Sequence, residues 1–388
     1  MRILIGTNDV PPDPYGLPYQ RWTYLLIKGL GERGHRVMFW CIEGEKGQAE
    51  RARRALAGFP AQLRIHQPVR RRRSWSKKVQ TLRQPFAGCI PDALYEGVRR
   101  ECENGYDVLH LENFQWGSYL GLKMPRALAS VHMLNLVDNR GTGFRSWRFF
   151  QSKLLFEYAE RKTLRQFRHI RVLTEGLAKT VRAINRRAEV YVVPLAIDPA
   201  IYHVVDAAAA SRVVGFIGTI AVGEINQRAV RRLITSIWPL VRLRVKDAQL
   251  LVAGRRAREA LAPFLSEPGV MIWENVRDAA EFFQRCAVFA YPLTFGGGLK
   301  GKILETMAYG VPLVTTAEGI AGVDAVNGVH AFIEEDDALL ADRIVQLLQN
   351  PSLRRRMAQA ARGLVEERYS PDPVISQVEA VYRKIASA

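Results

Sequence analysis

Apolar positions along this chain fall into two rhythms. Short β-branched runs alternate with segments of helical period, and the alternation starts twice. Arg2–Gly6 is apolar enough for a buried strand. A loop follows with Pro11, Pro12, Pro14, Gly16 and Pro18. Residues 19–32 then carry Trp22, Leu25, Leu26 and Leu30 at helical spacing, and Gly34 closes the helix. Arg36–Ile42 is the next strand. Strand, glycine-bearing loop, helix and strand open a doubly wound parallel sheet. Further strands are expected at 107–111, 127–132, 169–173 and 190–193. Residues 196–212 read as a crossover, after which the pattern restarts. Strands are expected at Val213–Ile217, 249–253, 270–273, Val288–Tyr291 and 312–315, with a helix over 229–243. From residue 336 onward the chain reads as helices broken at Pro351, Pro371 and Pro373. The pattern predicts an α/β protein with a first domain over 1–195 and a second over 196–370. A last helix, 371–388, is expected to pack back toward the first domain. Two such sheets joined by a crossover predict a cleft between them.

Charge changes this picture more than composition does. The 388 residues are 48% hydrophobic and 24% charged, which suits full cores and argues against disorder. No apolar run approaches ~18 residues, so no membrane-spanning helix is expected. The N-terminus reads as a strand rather than a signal peptide. Four scattered cysteines without CxxC spacing argue against a disulfide scaffold or zinc ribbon, and a cytoplasmic setting is expected. The net charge is +18. Residues 1–195 hold 34 basic and 17 acidic side chains; residues 196–388 hold 22 and 21. A basic half attracts an anionic partner: nucleic acid, lipid headgroups or an acidic glycan.

The segment richest in candidate chemistry runs from Tyr291 to Thr316. A strand ends near Pro292, and Gly296, Gly297 and Gly298 free the backbone for close approach to a ligand. Lys300 and Lys302 follow, then a helix with Glu305. A glycine-rich turn at a helix N-terminus cradles an anion, because free N–H groups and the positive dipole end face it. Two lysines suit a diphosphate. A carboxylate one turn inside the helix suits the two hydroxyls of a ribose.

These residues resemble the GT-B retaining glycosyltransferases of family 4 (glycosyl transferases group 1). The resemblance rests on Lys300-Gly-Lys302-Ile-Leu-Glu305-Thr-Met-Ala-Tyr-Gly310-Val-Pro312, followed by Gly319 and Gly322. Weaker matches run in order along the chain: Pro11-Pro12 with Gly16, Tyr106 to His110, Val193 to Asp198, Gly215 to Thr219, and Leu251 to Gly254. The resemblance implies two Rossmann-like domains facing across a cleft. It also implies a nucleoside-diphosphate sugar, of UDP or GDP type, held mainly by the second. Glu305 would hold the ribose. Lys300, Lys302 and the amides around Phe295, Gly296, Gly297, Gly298 and Leu299 would meet the diphosphate. Gly16, Gly218 and Thr219 would line the phosphates, and Trp273 and Val276 the base. His132 would contact the transferred sugar. The chain departs from the family pattern in three places. Gly297 stands where a second glutamate is common, Thr219 where an arginine is common, and the first loop has Gly16-Leu17 in place of paired glycines. Phosphate charge then falls on Lys300 and Lys302.

Glu112 and Asp138, after expected strand ends, are candidate acceptor bases. His35 reads as a turn residue and His110 as the end of a core strand. The run Arg70, Arg71, Arg72, Arg73, Ser74, Trp75, Ser76, Lys77, Lys78 holds six cations beside one tryptophan. It suits an anionic membrane surface or a lipid-linked or acidic glycan acceptor. A second basic, aromatic stretch spans residues 140–171. No metal-ligand spacing is present, so neither a metal nor a cofactor is expected beyond the donor substrate. The expected function is metal-independent, retaining transfer of a hexose-type sugar, in the cytoplasm or at the inner face of its membrane. A sugar-nucleotide epimerase and a basic nucleic-acid-binding protein are the alternatives. The chain carries no recognised nucleic-acid-binding module, so no nucleic acid partner is expected.

Overall fold

The computed structural model describes residues 1–7, 9–67, 86, 90–116, 124–134, 137, 147–206, 212–220, 224–276, 278–296 and 298–387. The chain divides into two units. The first comprises residues 1–139, 143–197 and 371–388, and the second comprises 140–142 and 198–370.

The first unit is built on a parallel sheet of seven strands: β1 (Arg2–Gly6), β2 (Arg36–Ile42), β3 (Ala61–His66), β4 (Val108–Leu111), β5 (Ala127–Val131), β6 (His169–Val172) and β7 (Glu189–Val192). Their order is β3-β2-β1-β4-β5-β6-β7, so the winding reverses between β1 and β4. Ile3, Leu4 and Ile5 are wholly buried. A central strand covered on both faces needs a continuous apolar run rather than alternation, and β1 has one. One face packs against the helix Asp92–Glu103 and the helix Glu175–Ile184 through Leu94, Val98, Leu177 and Val181. The other packs against the first helix, Pro18–Glu32, and the last, Pro371–Ala386, through Trp22, Leu26, Ile375, Val378 and Tyr382.

The last helix is tied down by polar contacts as well as apolar ones. Arg33 pairs with Asp372 and with Glu379. His35 Nε2 lies 3.0 Å from Glu379 Oε1, and His35 Nδ1 lies 3.2 Å from the N-terminal amine. His35, expected as a turn residue, is more than that. It is buried where the first helix hands over to β2, and it joins that corner to the last helix. Gly29 permits the close packing: a Cβ there would stand 2.9 Å from Ile375 Cγ1.

The second unit repeats the design with six parallel strands. They are β8 (Val213–Ile217), β9 (Gln249–Gly254), β10 (Val270–Glu274), β11 (Val288–Tyr291), β12 (Leu313–Thr315) and β13 (Phe332–Ile333), in the order β10-β9-β8-β11-β12-β13. The winding reverses between β8 and β11. The helix expected over 229–243 extends from Glu224 to Arg244 and contains one π turn, Leu233–Ile237. Pro239 follows that turn. It lacks an N–H and crowds the preceding turn, and a local widening of the helix absorbs both effects. Arg354 is buried, and its Nη1 donates to the carbonyls of Leu347 (2.7 Å) and Leu348 (3.0 Å). It thereby satisfies the C-terminal end of the helix Asp337–Gln349.

Candidate functional site

In a doubly wound sheet, ligands bind beyond the carboxyl ends of the strands, at the point where the winding reverses. In the second unit that point lies beyond Ile217 on β8 and Tyr291 on β11. Lys302 sits there. It is the second residue of the helix Gly301–Ala308. Its Nζ donates to the carbonyl of Ile217 at 3.1 Å and to Asn226 Oδ1 at 3.3 Å, and lies 4.9 Å from the centre of the Tyr291 ring. The Tyr291 hydroxyl donates to the same Asn226 oxygen at 2.9 Å, and Asn226 Nδ2 donates to the carbonyl of Thr219 at 3.2 Å. Gly218 leaves room for this ammonium, since a Cβ there would stand 2.8 Å from Lys302 Nζ. Burial pushes the Lys302 amine down to about 8, with Glu305 opposing. An amine lowered in this way gains from an incoming anion that restores its charge.

Lys300 is the residue before that helix and supplies no side-chain cap to it. The Ile303 amide turns back to the Lys300 carbonyl at 2.9 Å. Lys300 Nζ donates to the Glu318 carbonyl at 2.6 Å and to Glu318 Oε1 at 2.9 Å. Both lysines therefore have protein partners, and an anion must exchange with them. Glu305 is half-buried on the second turn of the helix. Gly296 has φ +140°, which only glycine adopts without strain. Gly298 and Leu299 are half-buried. Phe295 lies beneath the Arg228 guanidinium at 5.1 Å. Thr219 is exposed. Trp273 and Val276 stand at the carboxyl end of β10, separated from β8 by β9, and Arg285 covers the Trp273 ring at 4.9 Å. Gly297 lies outside the described residues.

Gly16 has a local reason to be glycine. A Cβ there would meet Gln20 Oε1 at 2.7 Å. Gln20 reaches back to accept from the Leu17 amide at 3.1 Å and to donate to the Pro11 carbonyl at 3.0 Å. It thereby closes the loop onto the first helix.

The winding of the first sheet reverses between β1 and β4, and a buried polar cluster lies at its carboxyl edge. Glu112, immediately after β4, is fully buried. Its Oε2 lies 2.7 Å from His132 Nε2. Its Oε1 accepts from Trp22 Nε1 at 3.1 Å, with His110 Nε2 at 3.3 Å and Arg171 Nη1 at 3.5 Å. Burial alone would raise the Glu112 carboxyl. His110, the hydrogen bond from His132, and Arg171 outweigh it and hold the acid well below its ordinary range. Burial also pushes His110 down to about 4, so it is neutral at pH 7. The charge that keeps Glu112 ionised there is Arg171, helped by hydrogen bonds. The guanidinium itself stacks over Trp22 at 4.5 Å and donates to the carbonyls of Val193 (3.1 Å) and Pro194 (2.6 Å).

This geometry changes the role expected for Glu112. It cannot serve as an acceptor base, because its side chain is covered. An ionised carboxylate only accepts hydrogen bonds, so His132 Nε2 must carry a proton. His132 remains 23% exposed and meets the Tyr19 ring edge-on, with centroids 5.6 Å apart. Its partner was missed in the sequence because a lone Glu and a lone His on neighbouring strand ends carry no spacing signal. Asp138 and the run Arg70, Arg71, Arg72, Arg73, Trp75, Lys77 and Lys78 lie outside the described residues. Among the described residues, no three His, Cys, Asp or Glu side chains cluster to hold a metal ion.

Two doubly wound parallel sheets of this kind, each carrying its polar residues at the reversal of winding, make up the GT-B architecture. The chain belongs to the group 1 glycosyltransferases of that architecture. The profile described as Glycosyltransferase Family 4 matches residues 20–201, and that of Glycosyl transferases group 1 matches residues 211–350. Among curated proteins, it is 28% identical over 178 residues to the capsular polysaccharide biosynthesis glycosyltransferase CapM of Staphylococcus aureus, covering 44% of this chain and 45% of that one. It is 32% identical over 157 residues to the phosphatidyl-myo-inositol mannosyltransferase of Mycobacterium leprae, covering 37% and 39%. These matches span less than half the length of either relative. In fold, the sucrose-phosphate synthase of Thermosynechococcus elongatus aligns over 100% of this chain and 99% of its own, with TM-score 0.69 and 15% identity. Anabaena HepE, solved with UDP-glucose, aligns over 99% and 100%, with TM-score 0.67 and 13% identity.

Proposed function

We propose that this chain transfers a hexose-type sugar, with retention, from a UDP- or GDP-sugar to a lipid-linked or acidic glycan acceptor. The observation that carries the reading is Lys302: an amine desolvated at the reversal of a doubly wound sheet, next to a helix N-terminus. Transfer breaks the bond between the anomeric carbon and the diphosphate, and the electron pair leaves with the diphosphate. The acceptor oxygen bonds that carbon, and its proton passes to the departing diphosphate oxygen. In this reading Lys300, Lys302 and the first amides of the helix Gly301–Ala308 absorb the leaving charge. Glu305 holds the ribose diol. His132, its Nε2 tied to Glu112, presents its other ring nitrogen to the sugar. The charge is met by lysines rather than by a metal.

Glu305→Ala will lose most transfer activity in a folded protein. Unpaired ribose hydroxyls cost about 1–3 kcal/mol, roughly five- to 150-fold in donor kcat/KM. Near-wild-type kinetics from a folded variant would remove Glu305 from the site.

The acceptor side of the reading draws on the first half's charge and on the helix Trp147–Leu164. There Leu154, Leu155, Phe156 and Tyr158 are all about half exposed, with Arg161 beside them. Exposed apolar side chains among cations suit an anionic lipid surface, where each nearby Lys or Arg contributes ~1 kcal/mol. No helix among the described residues is long and apolar enough to cross a membrane. Vesicle sedimentation tests this. Wild type will bind anionic but not neutral liposomes, more weakly at high salt. Leu154→Ser with Leu155→Ser will weaken that binding and spare donor binding. No preference for anionic vesicles would remove the lipid surface from the reading.

A further inference from the structure

Behind Glu112, the polar cluster continues through the sheet to the last helix. His110 Nδ1 lies 2.5 Å from the Tyr382 hydroxyl, and His110 Nε2 lies 2.7 Å from Ser130 Oγ and 3.3 Å from Glu112 Oε1. Tyr382, His110, Ser130 and Glu112 are all buried. His110 and Ser130 stand on adjacent strands, β4 and β5, while Tyr382 arrives from the helix Pro371–Ala386.

Both tautomers of a neutral His110 can be partnered, since Ser130 Oγ can donate to Nε2 as well as accept from it, but Glu112 and Tyr382 together favour one of them. Glu112 is ionised and can only accept. A neutral His110 carries one ring proton. If that proton sat on Nδ1, the lone pair of Nε2 would face the Glu112 carboxylate, and the Tyr382 proton would have no acceptor at His110. With the proton on Nε2, His110 donates toward Glu112 and Ser130, and Nδ1 accepts from the Tyr382 hydroxyl. Glu112 Oε1 is then served by Trp22, His110 and Arg171, and Oε2 is left for the His132 Nε2–H.

We propose that Tyr382 is a positioning residue for His132, acting through His110 and Glu112. The hydroxyl selects the His110 tautomer, that tautomer supports the ionised Glu112, and Glu112 fixes the tautomer and ring orientation of His132. The charged and titratable groups facing this line are Asp9 and Tyr19 at the His132 end and Arg171 at the Glu112 end. None of them reaches His110 Nδ1 in place of Tyr382. The relevance to turnover rests on the reading that His132 serves sugar transfer; the tautomer selection does not.

The test uses the full chain with ¹⁵N-labelled histidine. In wild type, His110 will show protonated Nε2 and unprotonated Nδ1, and His132 a protonated Nε2. In Tyr382→Phe, His110 will become a mixture of tautomers, His132 will keep its Nε2 proton on the ionised Glu112 but with a shifted ring resonance, and kcat will fall about tenfold with an altered pH profile and unchanged donor KM. Val378→Ala, one turn away on the same helix and without a polar contact, will lower the unfolding midpoint but leave tautomers and pH profile alone. His110→Gln breaks the same link from the sheet side and will act in the direction of Tyr382→Phe, which keeps the test open should that variant not fold. A wild-type His110 tautomer in Tyr382→Phe overturns the proposal, whatever happens to kcat. His132→Ala separates the two readings: if it transfers normally, the role of His132 is wrong, while the spectra still decide whether Tyr382 sets the His110 tautomer.

Discussion

Lys302→Met will weaken nucleoside diphosphate binding by about 1.5–3 kcal/mol, roughly ten- to 150-fold, and leave binding of the free nucleoside nearly unchanged. Only the diphosphate carries the charge that this ammonium meets. The same residue gives a pH signature. Burial lowers it from 10.5 to about 8, so its charged fraction in the empty protein falls as pH rises through 8. A bound diphosphate pulls the amine back up, and binding between pH 8 and 10 will take up a proton. Titration calorimetry in two buffers of different protonation enthalpy reads that proton directly. Stability follows the same linkage with a definite sign. Between about pH 8 and 10.5 the unfolded chain holds this proton and the folded chain does not, so this group's contribution to stability rises with pH across that window. In Lys302→Met both the uptake and the rise will be gone. Equal losses for nucleoside and nucleoside diphosphate would make Lys302 a packing residue only.

Glu112→Ala will destabilise the first unit by about 3–5 kcal/mol, because it leaves the buried Arg171 without its carboxylate. Glu112→Gln keeps the shape and separates charge from packing. The acid limb carries the signature. The folded acid lies well below the ordinary 4.5, so the stability it contributes is fully present above that value and is lost as pH falls beneath it. Urea unfolding between pH 3 and 7 will show a steeper acid loss for wild type than for Glu112→Gln. Parallel acid limbs would mean that the carboxylate is not the anion this cluster is built around. Either variant also frees the His132 ring, so transfer will fall before the fold fails.

Much of the architecture was legible because parallel strands buried on both faces read as apolar runs. β1, β2, β8 and β11 begin and end where the pattern places them. β3 was not legible. It is an edge strand in which exposed Gln62 and Arg64 alternate with half-buried Ala61, Leu63 and Ile65, so no apolar run marks it. β13 has two residues, too few for a period to show. In the second unit, the lysines and Glu305 stood out because they share one short stretch of chain with the glycines. Their partners did not: Asn226 and Glu318 reach Lys302 and Lys300 from 76 and 18 residues away. The first unit's cluster was least legible. Trp22, His110, Glu112, Ser130, His132, Arg171 and Tyr382 come from five different elements or the residues just after them, and meet only because the sheet order brings β4, β5 and β6 together beneath two helices. A buried Arg171 or His35 looks like any surface cation until its partners are in place. Gly16 was legible as a constrained glycine, but its constraint is Gln20, a contact within the loop itself.

The claim at the centre of this account is that the second unit holds a nucleoside diphosphate. Thermal unfolding with UDP, GDP, uridine and guanosine, on wild type and on Lys302→Met, tests it most directly. One of the two diphosphates at 100 times its dissociation constant will stabilise wild type by ~2.7 kcal/mol, the matching nucleoside far less, and Lys302→Met will lose the difference. No stabilisation of folded wild type by either diphosphate, at any concentration up to several millimolar, would contradict it.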